Sequence, residues 1–281
     1  MKQEKRDWYD TPLYYDIIYD ADTRKEADLL EHVFAKHASA GKTRRVLEPA
    51  CGSGRLVIEM ARRGWNVSGF DGSAKMLGFA LERLAKAKLN ARLWEGWMQS
   101  FEVPVGARYD LAHCLINTFR YLLTEKDAKS FFQRVSAALR PGGVFVLGLH
   151  LTDYDRTSCE HERWVMDRKG VHVVCNTRTW PADRRTRIER LRTRLVVTRR
   201  GGTGTAASRR LAVPGGEPDQ HRQETVWEYR TYDVPQLKRL LKTAAPELEI
   251  MECHDFTYDA ASPRGLDDEY ADLVLTLRKK K

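Results

Sequence analysis

The chain has 281 residues, 42% hydrophobic and 10% aromatic, which excludes a disordered profile and allows one large α/β domain or a core with an insertion. Its five cysteines are odd in number and never spaced as CxxC, which argues against both a disulfide framework and a zinc cluster; no metal is expected. The net charge of +9 leaves a nucleic-acid or acidic partner open.

Residues 1–43 hold no apolar stretch that could serve as a signal peptide, but they contain the tyrosine-dense run Tyr9-Asp10-Thr11-Pro12-Leu13-Tyr14-Tyr15-Asp16-Ile17-Ile18-Tyr19-Asp20. Tyrosine has an apolar body and a polar tip, so these rings suit either packing on a sheet or covering a ligand. From 44 to 151, β-rich runs alternate with helical patterns, the sign of βαβ units and a parallel sheet. Strands are predicted at Arg45–Glu48, Asn66–Asp71, Ala91–Glu95, Tyr109–Ile116 and Val144–Leu151. Helices are predicted at about Gly54–Gly64, Ser73–Lys88 and Thr124–Leu139, with Ser73 and Thr124 as N-caps and Pro141-Gly142-Gly143 as the stop after the third. Val144–Leu151 is the longest apolar run and is too short to cross a bilayer, so a soluble, cytoplasmic protein is expected.

Beyond residue 151 the alternation stops. Strands are predicted at Val171–Thr177, Arg187–Thr198 and Thr225–Tyr232, with a Gly/Ser/Arg/Pro loop at 200–222. The α/β pattern resumes with a helix capped by Asp233 and running to about Ala244, then strands Glu247–Cys253 and Asp272–Arg278. Four segments follow from this: 1–43, a core at 44–151, a β-rich insertion at 152–232, and a completion of the core at 233–281.

Val46-Leu47-Glu48-Pro49-Ala50-Cys51-Gly52-Ser53-Gly54-Arg55 follows a strand and opens a helix, where a Gly-rich turn lets backbone N–H groups approach a ligand. A dinucleotide fingerprint would need glycine at 50, 52 and 55, but Ala50 and Arg55 flank Gly52. Glu48 at the strand end suits an ammonium and a sulfonium better than a pyrophosphate. Asp71 ends the next strand, where its carboxylate can either accept from ribose hydroxyls or cap the helix at Ser73.

The order VLEPACGSGR, GFDGSAKML, YDLAHCLINTFRYL and LRPGGVFVLGLHL resembles the class I S-adenosylmethionine-dependent methyltransferases, over about 10–151 and again over 233–278. The resemblance implies an α/β, Rossmann-like doubly wound sheet of seven strands with the last antiparallel, and an antiparallel β insertion as a cap. It implies S-adenosylmethionine as cofactor, with Glu48 at the methionine end and Pro49, Ala50, Cys51, Gly52 and Gly54 forming the turn beneath. Asp71 and Gly72 then serve the ribose, Met76 packs near the adenine, and Leu115 and Asn117 line the methionine side. Tyr15 and Tyr19 would belong to a lid. The family's Gly-Asp-Met reads Gly96-Trp97-Met98 here; Trp97 donates only, which leaves the Met98 backbone or a stacked Trp97 for the adenine.

The insertion resembles the cap of the small-molecule N- and O-methyltransferases, so a small-molecule methyl acceptor is expected. In Glu224–Tyr232, alternation puts Val226, Glu228 and Arg230 on one face and Thr225, Trp227, Tyr229 and Thr231 on the other; which face meets the acceptor stays open. His150, at a strand's C-terminal end, is the favoured base over Tyr121, His161 and His113, the last being expected to pack. Arg190, Arg192 and Arg194 recur at period two, as a solvated outer face or as a grip on phosphate. Two alternatives therefore remain, an RNA or protein methyltransferase using that row and a non-catalytic cofactor-binding protein. No base-methylating Asn-Pro-Pro-Tyr is present, the segment being Ile116-Asn117-Thr118-Phe119.

Overall fold

The strands form two sheets, one mixed and one largely antiparallel. The computed structural model describes residues 4–5, 7–39, 44–199 and 220–281. In chain order the elements begin with β1 (Glu4–Lys5), α1 (Pro12–Tyr19) and α2 (Thr23–His37). The core follows as β2 (Arg45–Pro49), α3 (Arg55–Arg62), β3 (Asn66–Asp71), α4 (Ala74–Ala87), β4 (Arg92–Glu95), β5 (Tyr109–Cys114), α5 (Glu125–Ala138) and β6 (Leu139–His150). Then come β7 (Glu160–Arg168), β8 (Val171–Thr179), β9 (Ile188–Arg199) and β10 (Gln220–Arg230), and finally α6 (Val234–Ala244), β11 (Leu248–His254) and β12 (Asp272–Lys279).

The core sheet has the order β4-β3-β2-β5-β6-β12-β11, with β12 antiparallel to both its neighbours. This is the expected seven-stranded doubly wound arrangement. Its helices start where the sequence supplies caps: Ser73 accepts from Met76 N–H, Thr124 from Asp127 N–H, and Asp233 forms a capping box with Gln236. β6 is buried on both faces. Phe145, Leu147 and Leu149 pack with Phe131, Phe132, Leu237 and Leu240, while Val144 and Val146 join Leu29, Leu30 and Val33. An apolar strand covered on both sides is what a parallel sheet between helical layers requires.

The second sheet runs β1-β10-β9-β8-β7, antiparallel except for β1. One of its faces buries Val171, Val173, Cys175, Leu195 and Val197 against Trp8, Tyr14, Ile17 and Ile18. Sheet and N-terminal segment therefore share a core.

Three departures from the sequence reading have physical causes. β7 was not predicted, because its inward positions Glu160 and Glu162 line a cavity and break the apolar alternation. It turns into β8 through Lys169 and Gly170, both at positive φ (52° and 75°), as a two-residue hairpin of primed type demands. Pro141-Gly142-Gly143 does not separate helix from strand but lies within β6, where Gly142 (φ 76°) lets Ser39 approach to 2.6 Å from the position a Cβ would take. β5 stops at Cys114, and Ile116 and Asn117 turn through positive φ (52° and 61°). Of the loop predicted at 200–222, residues 220–222 belong to β10 and 200–219 lie outside the described residues. No helix among the described residues is long and apolar enough to cross a membrane.

Candidate active site

The turn after β2 is held open by backbone geometry. Ala50, Gly52 and Gly54 all have positive φ (52°, 52° and 71°), and Cys51 N–H donates to Phe70 O at 2.9 Å, tying the turn to β3. At Gly54 a Cβ would stand 2.7 Å from the Ala80 Cβ, so this glycine lets α4 close on the turn. Arg55 stands where a dinucleotide fold has glycine; its guanidinium turns away to ion-pair with Glu26 and to donate to Thr23 Oγ1 at 3.1 Å. Gly52 lies beneath Tyr15, whose ring would be 3.6 Å from an added Cβ.

Asp71 does more at its strand end than either role expected of it alone. Its Oδ2 accepts from Gly52 N–H and its Oδ1 from Ser73 N–H, each at 2.8 Å. The carboxylate thus braces the turn and the start of α4, and burial raises its pKa against those two hydrogen bonds. Replacing Asp71 by Ala is expected to weaken S-adenosylhomocysteine binding at least about tenfold by calorimetry, with Asn intermediate because it keeps one acceptor oxygen. Unchanged affinity in the Ala variant would leave Asp71 a bracing role only.

Glu48 is buried, and its Oε2 has no hydrogen-bond partner among the described residues. Burial pushes its pKa up to about 8; Arg55 opposes the rise, while Glu26 and Asp71 add to it. Together with Tyr15, Pro49, Ala50, Cys51 and Leu115, Glu48 lines a cavity of about 20 Å³ above the turn.

α1 is pinned over this place by Asp16, which is fully buried. It accepts from Ser53 Oγ at 2.9 Å, from Arg168 Nη1 at 3.3 Å and from Arg83. One carboxylate thereby joins the turn, α4 and the second sheet. Around it Tyr15 packs on Tyr19 (4.7 Å between centroids), and Trp8 meets Tyr15, Tyr19 and Trp227 edge-on at 5.4, 5.7 and 4.9 Å. The tyrosine segment therefore both covers the turn and packs on the second sheet.

A second cavity, of about 760 Å³, opens between the C-terminal ends of β5 and β6 and the inner face of the second sheet. Trp227 and Tyr229 line it, so the aromatic face of β10 looks inward. Arg190, Arg192 and Arg194 lie on the opposite face, where Arg192 and Arg194 both pair with Glu224. Inside, Arg120 and Arg156 both pair with Glu189, and Arg156 also with Glu160.

His150 lines this cavity with its Nε2 3.2 Å from Asp272 Oδ1. Burial, with Arg120 adding, lowers its pKa to about 4, so the ring is neutral and a weak base. His113 is buried in β5 with its pKa lowered to about 3, and it packs as expected. Tyr121 receives a hydrogen bond from the Tyr229 hydroxyl at 3.3 Å, and burial holds its own phenol protonated.

The remaining predicted site residues separate. Tyr19 and Asn117 reach the larger cavity, and Asn117 Oδ1 accepts from His150 N–H at 2.7 Å. Trp97 is 59% exposed with its ring over Gly72, where a Cβ would come within 2.8 Å of it. Met98 points into the core with Phe70 and Phe101. Met76 is 0% exposed within α4. Asp16, Trp8 and Glu162 were missed. The only trace of Asp16 in the sequence was an acidic residue among apolar and aromatic neighbours in Tyr14–Ile18.

Comparison with known proteins agrees with this layout. Residues 46–143 match the family model described as a methyltransferase domain. A glycine/sarcosine N-methyltransferase of Halorhodospira halochloris is 30% identical over 131 residues, 47% of this chain and 47% of that protein. The chain thus spans about half the length of the relatives it matches. An S-adenosylmethionine-dependent methyltransferase from Clostridium acetobutylicum superposes with a TM-score of 0.70 at 19% identity, covering 96% of this chain and 98% of that one. An amino pentose methyltransferase from Micromonospora echinaspora, solved with S-adenosylmethionine bound, superposes with a TM-score of 0.67 at 18% identity, covering 100% of both chains. Residues 46–143 thus match a methyltransferase domain, and the chain that carries them has the fold of the class I S-adenosylmethionine-dependent methyltransferases.

Proposed function

We propose that the chain methylates the nitrogen of a small-molecule amine, with S-adenosylmethionine as donor. The observation that carries this reading is the buried, unpartnered Glu48 oxygen above the Gly52 turn, beside a cavity large enough for a small acceptor. An orphaned buried carboxylate oxygen is costly unless a ligand's donor satisfies it, and an ammonium does so. Gly52, Asp71 and Tyr15 would hold the rest of the cofactor, from the turn, the end of β3 and the lid. S-adenosylmethionine supplies a methyl group made electrophilic by its sulfonium.

The chain's own residues then orient and exclude water. Tyr15, Tyr19 and Trp8 close the space above the turn, and the inner sheet face closes it from the other side. His150 is too weak a base to take a hydroxyl proton readily, whereas an amine that arrives neutral needs none. The names of the glycine/sarcosine and amino pentose relatives fit the same choice. The outward position of the Arg190–Arg194 row speaks against RNA as the acceptor.

S-adenosylmethionine and S-adenosylhomocysteine should both raise the melting temperature, and NAD should not. Labelled methyl should pass to members of a panel of small amines and not to phenols or bulk RNA. Silence to both sulfur nucleosides would overturn the cofactor assignment; labelling of RNA alone would overturn the acceptor.

A further inference from the structure

The smaller and the larger cavity have one residue in common. From the turn after β5, Leu115, Ile116 and Thr118 line the smaller, and Ile116, Asn117 and Arg120 line the larger. Among the described residues, Ile116 alone lines both. α1 divides the two spaces in the same way, with Tyr15 on the smaller and Tyr19 on the larger.

The backbone at this residue is one that a β-branched side chain rarely adopts. Ile116 has φ 52° and Asn117 follows at 61°. Asparagine tolerates the left-handed region, but isoleucine does so at a cost and persists there only where its surroundings over-determine it. Asn117 N–H donates to Gly148 O at 3.1 Å, His150 N–H to Asn117 Oδ1 at 2.7 Å and Arg120 N–H to Asn117 O at 2.9 Å. A Cβ at Gly148 would stand 3.2 Å from the Leu115 Cα, so its absence lets the turn lie this close to β6. Glycine would take the same turn without strain, so isoleucine adds nothing at this position except its side chain. That side chain is half-buried and packs at the edge of the cluster that holds Leu115 and Tyr258.

We propose that Ile116 sets the size of the alkyl group that the donor can carry on sulfur, its side chain lying against the methyl to be transferred. The inference deepens the methyltransferase reading and rests on it. With the donor's ammonium at Glu48 in the smaller cavity and the amine arriving through the larger, the reacting carbon is the atom at which the two spaces meet. Transfer breaks a C–S bond as a C–N bond forms, with the reacting atoms about 3–3.5 Å apart beforehand. The wall beside that carbon is therefore no more than one side chain thick, and Ile116 is the residue that reaches both of its faces. A branched side chain on a backbone held by these contacts has little room to recede, so a longer alkyl group overpacks the site. Ile116 is then a specificity-determining residue for the donor.

The test measures binding alone, by calorimetry on the full chain without an acceptor. The probes are S-adenosylhomocysteine, S-adenosylmethionine and S-adenosylethionine, the last two alike in charge and different by one methylene. The parent is expected to bind S-adenosylmethionine at least about tenfold more tightly than S-adenosylethionine, the lower end for an extra methylene in a filled site. Ile116→Ala should bring these two affinities together, and Ile116→Val should fall between Ala and the parent. Both variants should keep the parent's affinity for S-adenosylhomocysteine, which carries no transferable alkyl group and so reports that the site is still folded. Equal binding of the two sulfonium compounds by the parent, or a preference undiminished in Ile116→Ala, overturns the inference. Loss of S-adenosylhomocysteine binding in both variants also overturns it, because Ile116 would then support the turn and not meet the alkyl group. Failure of the parent to bind any of the three would instead overturn the proposed function.

Discussion

Replacing Glu48 by glutamine is expected to weaken S-adenosylhomocysteine binding at least about tenfold and, at the same time, to raise the melting temperature at alkaline pH. The affinity falls because an amide can accept from the ligand's ammonium but brings no charge to it. The stability rises for a reason that follows from proton linkage. The Glu48 pKa stands at about 8 in the folded chain against an ordinary value of 4.5, so between those values the folded state binds more protons than the unfolded one. Stability drawn from this group is therefore full below about pH 4.5, declines as pH rises through the window, and is lost by about pH 8. Glutamine does not titrate and suffers no such decline. Thermal melts of both proteins across this range should show the variant's advantage growing until about pH 8 and then levelling. A variant that melts below the parent at alkaline pH would show that Glu48 has a structural partner and is not reserved for a ligand.

Asp16→Ala is expected to cost about 3 kcal/mol of stability, the lower end for breaking a buried ion pair. The lower end applies because Arg168 retains Asp20 at 2.9 Å and Arg83 retains it at 3.9 Å. Ser53 Oγ loses its acceptor and α1 loses its one tie to the Gly-rich turn through this carboxylate. Urea unfolding should show a lower midpoint with an unchanged slope, and stopped-flow displacement should show faster S-adenosylhomocysteine release. A loss below about 1 kcal/mol, the scale of an exposed pair, would mean that the aromatic packing alone holds the segment.

The core was legible because its signals are local. A Gly-rich turn after Val46-Leu47, caps at Ser73, Thr124 and Asp233, and an apolar run through Val144–Leu149 each dictate their own element. β7 was not legible, because Glu160 and Glu162 face a cavity and carry no apolar period. The two faces of β10 could be separated by alternation, but only the register with β9 and the packing of α1 determine which looks inward. Asp16, Ser53, Arg83 and Arg168 meet across up to 152 positions of sequence, and no local pattern announces such a meeting.

The short helix that lays Tyr15 over Gly52 also sets Tyr19, with Trp8 just before it, into the wall of the larger cavity. On the reading proposed above, the nucleoside reaches its seat only when this segment lifts, and lifting it dismantles the chamber the acceptor needs. Turnover is then compulsory in its sequence: donor first, acceptor second, methylated product out before the spent nucleoside. An acceptor present in excess would hold the segment down and slow the exchange of one nucleoside for the next, so the same wall that shapes the chamber also limits how fast it can be reloaded.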